Sequence, residues 1–248
     1  MKARISGIGW ITAAGFGQGR GTGDFAMTDG ALPEIARKDF FADPFPRFGR
    51  LDEFSRLGLS AIALALRDAG LDQWQEKRNF GLIAGTAYGC LTTDIAYFDT
   101  VLADGGALAS PNLFAYTLAN CVLGEAAIRF GLTGPGFVVN ETATSRLTSL
   151  VMALESLFWG ECDVLVAGVC DLPFPLETTG MAPVGPGALF LILSKDSSPD
   201  EKASSPLLGL DCRGDLEIDG VPVRDWTEVA RASLAPAASG GKMSAINS

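Results

Sequence analysis

The segment GFVVNETATSRLTSLVMALESLF, residues 136–158, has the pattern of a strand, a turn and a helix. The apolar run Phe137–Val139 is typical of a short strand, and the apolar spacing over Leu147–Phe158 is typical of a helix. An α/β enzyme often places its nucleophile in such a turn, where the positive N-terminal end of the helix stabilises an anion. Ala143 stands in this turn, and its side chain has no reactive atom. The segment therefore has the layout of an active site without a nucleophile.

Elsewhere in the chain, predicted strands alternate with predicted helices, which is typical of an α/β fold. A Gly-rich stretch at 15–23 lacks the GxGxxG spacing of a nucleotide-binding loop, and we predict an ordinary loop there. The last segment, from about Ala232, is rich in Ala, Gly and Ser and is predicted to be a mobile tail. The predicted strands are Arg4–Thr12, 80–86, 163–169, 188–194 and 206–212, and the predicted helices are Phe54–Ala69 and two pieces within 110–131.

The charge of the chain limits its partners. The net charge is −10, which argues against nucleic acid and against an anionic membrane surface, because both are bound through Lys and Arg. Charged residues make up only 19% of the chain, a low share that favours extra buried surface such as a subunit interface. No run approaches the ~20 continuous apolar residues that cross a bilayer, so we expect no membrane span.

The cysteine and histidine content restricts the chemistry further. Five cysteines without a CxxC pair favour reduced, mostly buried thiols in a cytoplasmic protein. The sequence has no histidine, which is the commonest general base and the partner of Ser and Cys nucleophiles. A hydrolase with Ser145 as its nucleophile is disfavoured for that reason. A structural zinc site would need histidines or a tighter Cys cluster, so we predict no metal site.

Six stretches, taken in order, resemble the β-ketoacyl synthases of fatty-acid and polyketide assembly, which have a thiolase-like fold. The resemblance covers about residues 2–212 and implies the N-terminal half of such an enzyme, lacking the C-terminal half. That half is an α/β unit with a mixed, mostly parallel five-stranded sheet and helices on both faces. The implied domains are 1–212 and a partly flexible C-terminal extension at 213–248. The stretches are GIGWITAAG (7–15), FGRLDEFSRLGLSAIALALRDAGL (48–71), FGLIAGTAYG (80–89), SPNLFAYTLANCVLGEAAIRFGLTGP (110–135), GECDVLVAGV (160–169) and GPGALFLIL (185–193).

In this family a cysteine at a helix N-terminus takes an acyl group from a carrier thioester. The family keeps fixed intervals around that cysteine, and here Gly134 stands nine residues before Ala143 and Gly160 seventeen residues after it. Both flanks therefore place Ala143 at the nucleophile position, whereas a shifted register, which needs an insertion and a deletion, would place Thr144 there. Neither side chain supplies a thiolate. The family's two histidines and one oxyanion donor come from the half that is missing here, so the resemblance implies no catalysis by this chain alone.

The resemblance also implies where a partner would bind. Family members pair through the strand before the nucleophile, which meets its twin across a two-fold axis and covers an open sheet edge. Residues of one subunit then reach into the acyl tunnel of the other and limit the length of the chain that grows there. The implied dimer strand is Phe137, Val138, Val139 and Asn140, and the implied tunnel-facing residues are Phe114, Tyr116, Thr117 and Leu118. For the large side chains of the tunnel set, ordinary core packing is the alternative interpretation.

These features are most similar to a chain-length factor, a synthase-like subunit without the cysteine that pairs with an active β-ketoacyl synthase and shapes its tunnel. Half-length versions occur beside ketosynthases in aryl-polyene-type pathways. Such a subunit would form a heterodimer, meet acyl carrier protein only indirectly and need no cofactor. Two alternatives stay open: half of a split synthase or decarboxylase that uses catalytic residues from a partner chain, and a homodimeric acyl-binding module. Under each of them we expect Thr142, Thr144 or Ser145 to cap the helix.

Overall fold

The computed structural model of the chain describes residues 1–19, 25–28, 30–103, 105–141, 147–173, 185–195 and 205–235. The strands are β1 (Lys2–Thr12), β2 (Gly15–Gln18), β3 (Phe80–Thr86), β4 (Gly136–Asn140), β5 (Val164–Asp171), β6 (Gly187–Lys195), β7 (Leu207–Leu210), β8 (Leu216–Ile218) and β9 (Val221–Pro222). The helices are α1 (Arg37–Phe40), α2 (Glu53–Asp68), α3 (Leu91–Ala103), α4 (Pro111–Phe114), α5 (Cys121–Phe130), α6 (Thr148–Trp159) and α7 (Trp226–Leu234), with a 3₁₀ helix at Pro46–Arg50.

One sheet runs through the described part of the chain in the order β4-β3-β5-β6-β1-β7-β8-β9, with β2 paired to β1. Strands β4, β3 and β5 are parallel, and β6 lies antiparallel between β5 and β1. Strand β1 therefore points the same way as β3, β4 and β5, so four of the five central strands share one direction. The predicted α/β class with a mixed, mostly parallel five-stranded centre is confirmed, and β2 and β7 to β9 extend that centre.

The central strands are apolar on both sides because helices cover both faces of the sheet. In β5, Val166 and Cys170 belong to the core cluster under α2 and α5. Their neighbours Leu165 and Val169 belong to the second cluster, under α6 and α7. This alternation follows from the two-residue period of a strand. The predicted helices on both faces are confirmed.

Helix α2 lies directly on strand β1 at two glycines of the opening segment. A Cβ on Gly9 would stand 2.3 Å from the backbone nitrogen of Ala65, and one on Gly7 would stand 2.5 Å from the Ala65 carbonyl oxygen. The helix backbone therefore approaches the strand backbone so closely that no side chain fits between them. At the end of α2, Asp68 Oδ2 accepts a hydrogen bond from the Ile8 N–H at 2.9 Å and fixes the register of the contact.

Parts of the chain differ from the sequence-based expectation. Residues 15–18, predicted as loop, form β2, because β1 turns back into an antiparallel hairpin in which Phe16 pairs with Ile11. Helix α3 was not predicted. Beyond residue 212, β8, β9 and α7 continue the sheet and the second core cluster, while the domain division at 212 stays a prediction. Among the residues described, no helix combines the length and apolarity needed to cross a membrane.

Candidate functional site

Buried polar side chains meet where the parallel strands β3 and β5 end. Asp171, 1% exposed, accepts a hydrogen bond from Thr86 Oγ1 at 2.8 Å. Its Oδ1 also accepts from the backbone N–H groups of Ala87 and Tyr88, each at 3.0 Å. Asp171 thereby fixes the loop that follows β3. Because open α/β sheets place their ligand sites outside the carboxyl ends of parallel strands, this edge is the candidate site.

Glu141 follows β4 at the same edge and is 2% exposed. Its Oε1 accepts a hydrogen bond from the Ser149 N–H at 2.9 Å, in the first turn of α6. Its Oε2 has no hydrogen-bond partner among the described residues. The side chain lies against Gly85 of β3, where an added Cβ would stand 2.6 Å from Glu141 Cγ. A carboxylate therefore occupies the helix end that would otherwise stabilise a reactive anion.

Glu141 was not among the residues predicted from the sequence, although a signal for it was present. An acidic residue shortly before a helix complements the positive end of that helix. The predicted nucleophile positions, Ala143 and Thr144, lie outside the described residues, as do Thr142 and Ser145. The choice between the two registers therefore stays a prediction.

Three of the five cysteines have raised thiol pKa values. Burial raises the pKa of Cys90 to about 12, and the carboxylate of Asp94, 3.7 Å from Cys90 Sγ, adds to the rise. Burial also raises the pKa of Cys121 and of Cys162. These thiols stay protonated at neutral pH, whereas the thiolate is the reactive form. Across the described residues, no group of three or more Cys, Asp or Glu side chains is arranged to hold a metal ion.

Helix α3 leaves the candidate edge and carries apolar side chains into solvent. Thr93 is the one buried residue of the helix, and its Oγ1 donates to Asp52 Oδ2 at 2.7 Å. Away from that contact, Ile95, Phe98 and Leu102 are 47%, 57% and 64% exposed. Their spacing of three and four residues places them in one stripe of the helix. A stripe of this kind normally faces a protein core, but here it faces away from the chain.

The four residues predicted to face an acyl tunnel differ in their exposure. Phe114 and Leu118 are 62% and 65% exposed, Thr117 is half-buried and Tyr116 is buried. The ring of Phe114 contacts the ring of Tyr97 on α3, with the ring centroids 5.4 Å apart. Phe114 therefore lies beside α3 and is exposed, whereas Tyr116 is buried. The role of all four in a tunnel stays a prediction.

Tyr116 is tied to the core by a buried carboxylate. Its hydroxyl donates to Glu125 Oε1 at 3.3 Å, and Arg47 Nη2 donates to the same oxygen at 2.5 Å. Glu125 is 7% exposed, and its Oε2 has no partner among the described residues. Burial, followed by the nearby carboxylate, raises the pKa of Tyr116. This network anchors the inner side of the segment whose outer side carries Phe114 and Leu118.

Strand β4 forms one outer edge of the sheet and, among the described strands, pairs only with β3. Gly136 and Asn140 are exposed, and the three residues between them are half-buried. Phe137 and Val139 pack towards the second core cluster, and Val138 packs towards the first. An open edge presents unpaired backbone N–H and C=O groups that another strand can bind. The pairing of this strand with a partner stays a prediction.

A family model described as "Beta-ketoacyl synthase, N-terminal domain" matches residues 28–185. Among curated proteins, 3-oxoacyl-[acyl-carrier-protein] synthase 2 of Vibrio cholerae is 27% identical over 158 residues, which cover 63% of this chain and 37% of that protein. Putative polyketide beta-ketoacyl synthase 1 of Streptomyces halstedii is 32% identical over 132 residues, which cover 50% of this chain and 31% of that protein. The chain thus spans about a third of the length of the curated relatives that it matches.

Solved structures share the fold of the chain. The ishigamide ketosynthase/chain length factor superposes with a TM-score of 0.61 at 18% identity, over 78% of this chain and 58% of the other. A ketosynthase (ApeO) in complex with its chain length factor (ApeC) from Xenorhabdus doucetiae gives a TM-score of 0.54 at 16% identity, over 79% of both chains. These likenesses confirm the predicted thiolase-like fold.

Proposed function

Because the chain belongs to the β-ketoacyl synthase family, we propose that it is a chain-length-factor-like subunit, which pairs with an active β-ketoacyl synthase and does not itself catalyse condensation. In this role it shapes the acyl tunnel of its partner and meets acyl carrier protein only through the complex. The complex works in fatty-acid or polyketide-type biosynthesis, and aryl-polyene-type pathways are the specific class we propose.

The proposed pairing rests mainly on the outward apolar stripe of α3. We call the exposed set Ile95, Phe98, Leu102, Phe114 and Leu118 the partner surface. Exposed apolar side chains grouped along one helix and its neighbouring segment are a mark of a protein-binding surface. The open edge of β4 supports the same reading, because a partner strand would satisfy its backbone groups.

Three features support the proposed lack of catalysis. The family intervals predict that Ala143 stands at the position of the cysteine, and alanine has no electron pair to attack a thioester. The carboxylate of Glu141 already binds the first turn of α6, so a second anion there would meet charge repulsion. The raised pKa of Cys90 disfavours that thiol as a substitute thiolate at neutral pH.

One neighbour also supports the proposal. The ApeO–ApeC structure, which shares the fold over 79% of both chains, joins a ketosynthase with a chain length factor, according to its description.

Co-expression with the active β-ketoacyl synthase encoded nearest to this chain tests the pairing. Native mass spectrometry is expected to detect a 1:1 complex. Phe98→Ser removes an apolar contact from the partner surface and is expected to weaken the complex at least tenfold. Phe158→Ser is the matched control, because Phe158 has a similar exposure, 62%, but lies at the end of α6. A stable homodimer that does not bind the synthase would overturn the proposed pairing.

Two further readouts test the function of the complex. Phe114→Ala and Leu118→Ala are expected to lengthen the product of the complex, because smaller side chains leave a deeper tunnel. Incubation of the complex with acylated carrier protein is expected to add an acyl group to the synthase alone. An acyl adduct on this chain, detected by intact mass, would instead favour the split-synthase alternative.

A further inference from the structure

The charge around the partner surface indicates which partner it accepts. Resting on the proposed function, we propose that this surface selects a partner with Lys or Arg at its rim and disfavours a second copy of this chain. Asp99 is the central residue of the inference. It is exposed on α3 and stands four residues after Ile95 and three before Leu102, so it lies on the same side of the helix as both.

The sequence around the partner surface contains acidic residues and no basic residue. From Thr86 to Gly124 the chain contains three aspartates and no Lys, Arg or Glu. Arg47 reaches the neighbouring segment from the 3₁₀ helix, but it is bound to Glu125 at 2.5 Å. Within the described parts of the chain, Asp99 has no ion pair or hydrogen-bonded side chain. The apolar stripe therefore carries a negative charge that no described residue neutralises.

This charge acts differently on the two classes of partner. A symmetric pair of identical chains would bury the same patch on both sides and bring Asp99 of each copy into the interface without a cation. Like charges facing each other across an interface are strongly unfavourable, and the net charge of −10 adds repulsion at low salt. A partner with a cationic rim gains attraction from the same Asp99 carboxylate. The surface thus favours a heterodimer over a homodimer.

The first arm of the test uses the chain alone. Sedimentation equilibrium at about 50 mM salt compares the wild type, Asp99→Asn and Glu76→Gln. Glu76 is an exposed acid at the opposite end of β3, so its variant makes the same change in net charge away from the partner surface. Asp99→Asn is expected to self-associate about tenfold more strongly than the other two. Equal self-association of all three would overturn the inference.

The second arm uses the active synthase. Asp99→Lys is expected to slow association with the synthase about tenfold and to reduce its salt dependence, because charges at a rim act mainly on the association rate. Glu76→Lys is the control and should leave that rate within about twofold of the wild type. Unchanged association of Asp99→Lys would overturn the inference. If the wild-type chain does not bind the synthase at all, the proposed function fails, while the first arm still decides the role of Asp99.

Discussion

Glu141 Oε1 accepts a hydrogen bond from the backbone N–H of Ser149 at a distance of 2.9 Å, so a buried carboxylate caps the first turn of α6. The N-terminal end of a helix can lower the pKa of a cysteine placed there. Here the positive helix end faces a charge that belongs to the chain itself. We therefore propose that Glu141, as well as the residue at the predicted nucleophile position, disfavours a reactive anion at this helix end.

A cysteine introduced at position 143 should not by itself become an activated thiol. The carboxylate of Glu141 would repel a thiolate and compete for the helix end, so the thiol in Ala143→Cys should have an ordinary or raised pKa. In the double variant Ala143→Cys with Glu141→Gln, the reactivity of that thiol at pH 7 should rise about two- to tenfold. Site-resolved alkylation over a pH series, read by peptide mass spectrometry, measures the pKa in both variants.

Glu155 provides the control for this experiment. It is an exposed acid on α6, one residue beyond Leu154, and it lies away from the first turn of the helix. Ala143→Cys with Glu155→Gln removes the same charge without freeing the helix end. Equal alkylation rates in the two double variants would show that Glu141 has no special influence on position 143.

Asp94→Asn is expected to stabilise the chain at neutral pH. Burial raises the pKa of Asp94, the hydrogen bond from Cys90 opposes the rise, and Asp52 adds to it. With a raised pKa in the folded state, the stabilisation from Asp94 is complete below its unfolded-state pKa and is lost as pH rises through the folded-state value. The difference in unfolding free energy between Asp94→Asn and the wild type should therefore grow from about pH 3 to pH 7. Urea denaturation at several pH values measures this difference in unfolding free energy. A difference that does not change with pH would contradict the raised pKa of Asp94.

Tyr116 should stabilise the chain more than its neighbour Thr117 does. Tyr116→Phe removes a buried hydroxyl that donates to Glu125 and should cost about 1 kcal/mol of unfolding free energy. Thr117→Ala removes a hydroxyl that donates to the Phe114 carbonyl in a half-buried position and should cost less than about 0.5 kcal/mol. Urea unfolding of both variants tests the difference. Equal losses would mean that the buried network does not anchor this segment.

Gly9 and Gly124 should respond to alanine in opposite directions. A Cβ on Gly9 would stand 2.3 Å from a backbone atom of α2, so Gly9→Ala should lower the unfolding free energy by about 3 kcal/mol. Gly124 has nothing within 4 Å of its added Cβ and lies within α5, so Gly124→Ala should raise it by about 0.5–1 kcal/mol. Thermal unfolding of the two variants is the measurement. An unchanged unfolding free energy in Gly9→Ala would contradict the close approach of α2 and β1, and a loss in Gly124→Ala would contradict the open space around Gly124.

Elements that bury their apolar residues inside the chain could be predicted. The strand predicted at 80–86 has those same bounds, and the helix predicted over Phe54–Ala69 begins and ends one residue earlier, as α2. Their apolar periodicity reflects a core that the chain itself supplies. Helix α3 has the same kind of periodicity at Ile95, Phe98 and Leu102, but none of the described residues forms a core against that stripe. This periodicity was present in the sequence, but it did not lead to a predicted helix, because the stripe lies at the surface and no nearby segment of the sequence has a matching apolar pattern.

The sequence by itself determined the α/β class, the family likeness and the absence of histidine, because these depend on residue type, spacing and order. Tertiary structure alone decided that Thr86 and Asp171, 85 residues apart, hydrogen-bond at the end of two parallel strands. It also decided that Glu141 occupies the end of α6 and that Tyr116 points inward while Phe114 points outward. The spacing of residues along the chain shows only which residues follow one another. Which residues come into contact depends on how the strands and helices pack, because each contact joins segments that are separated in the sequence.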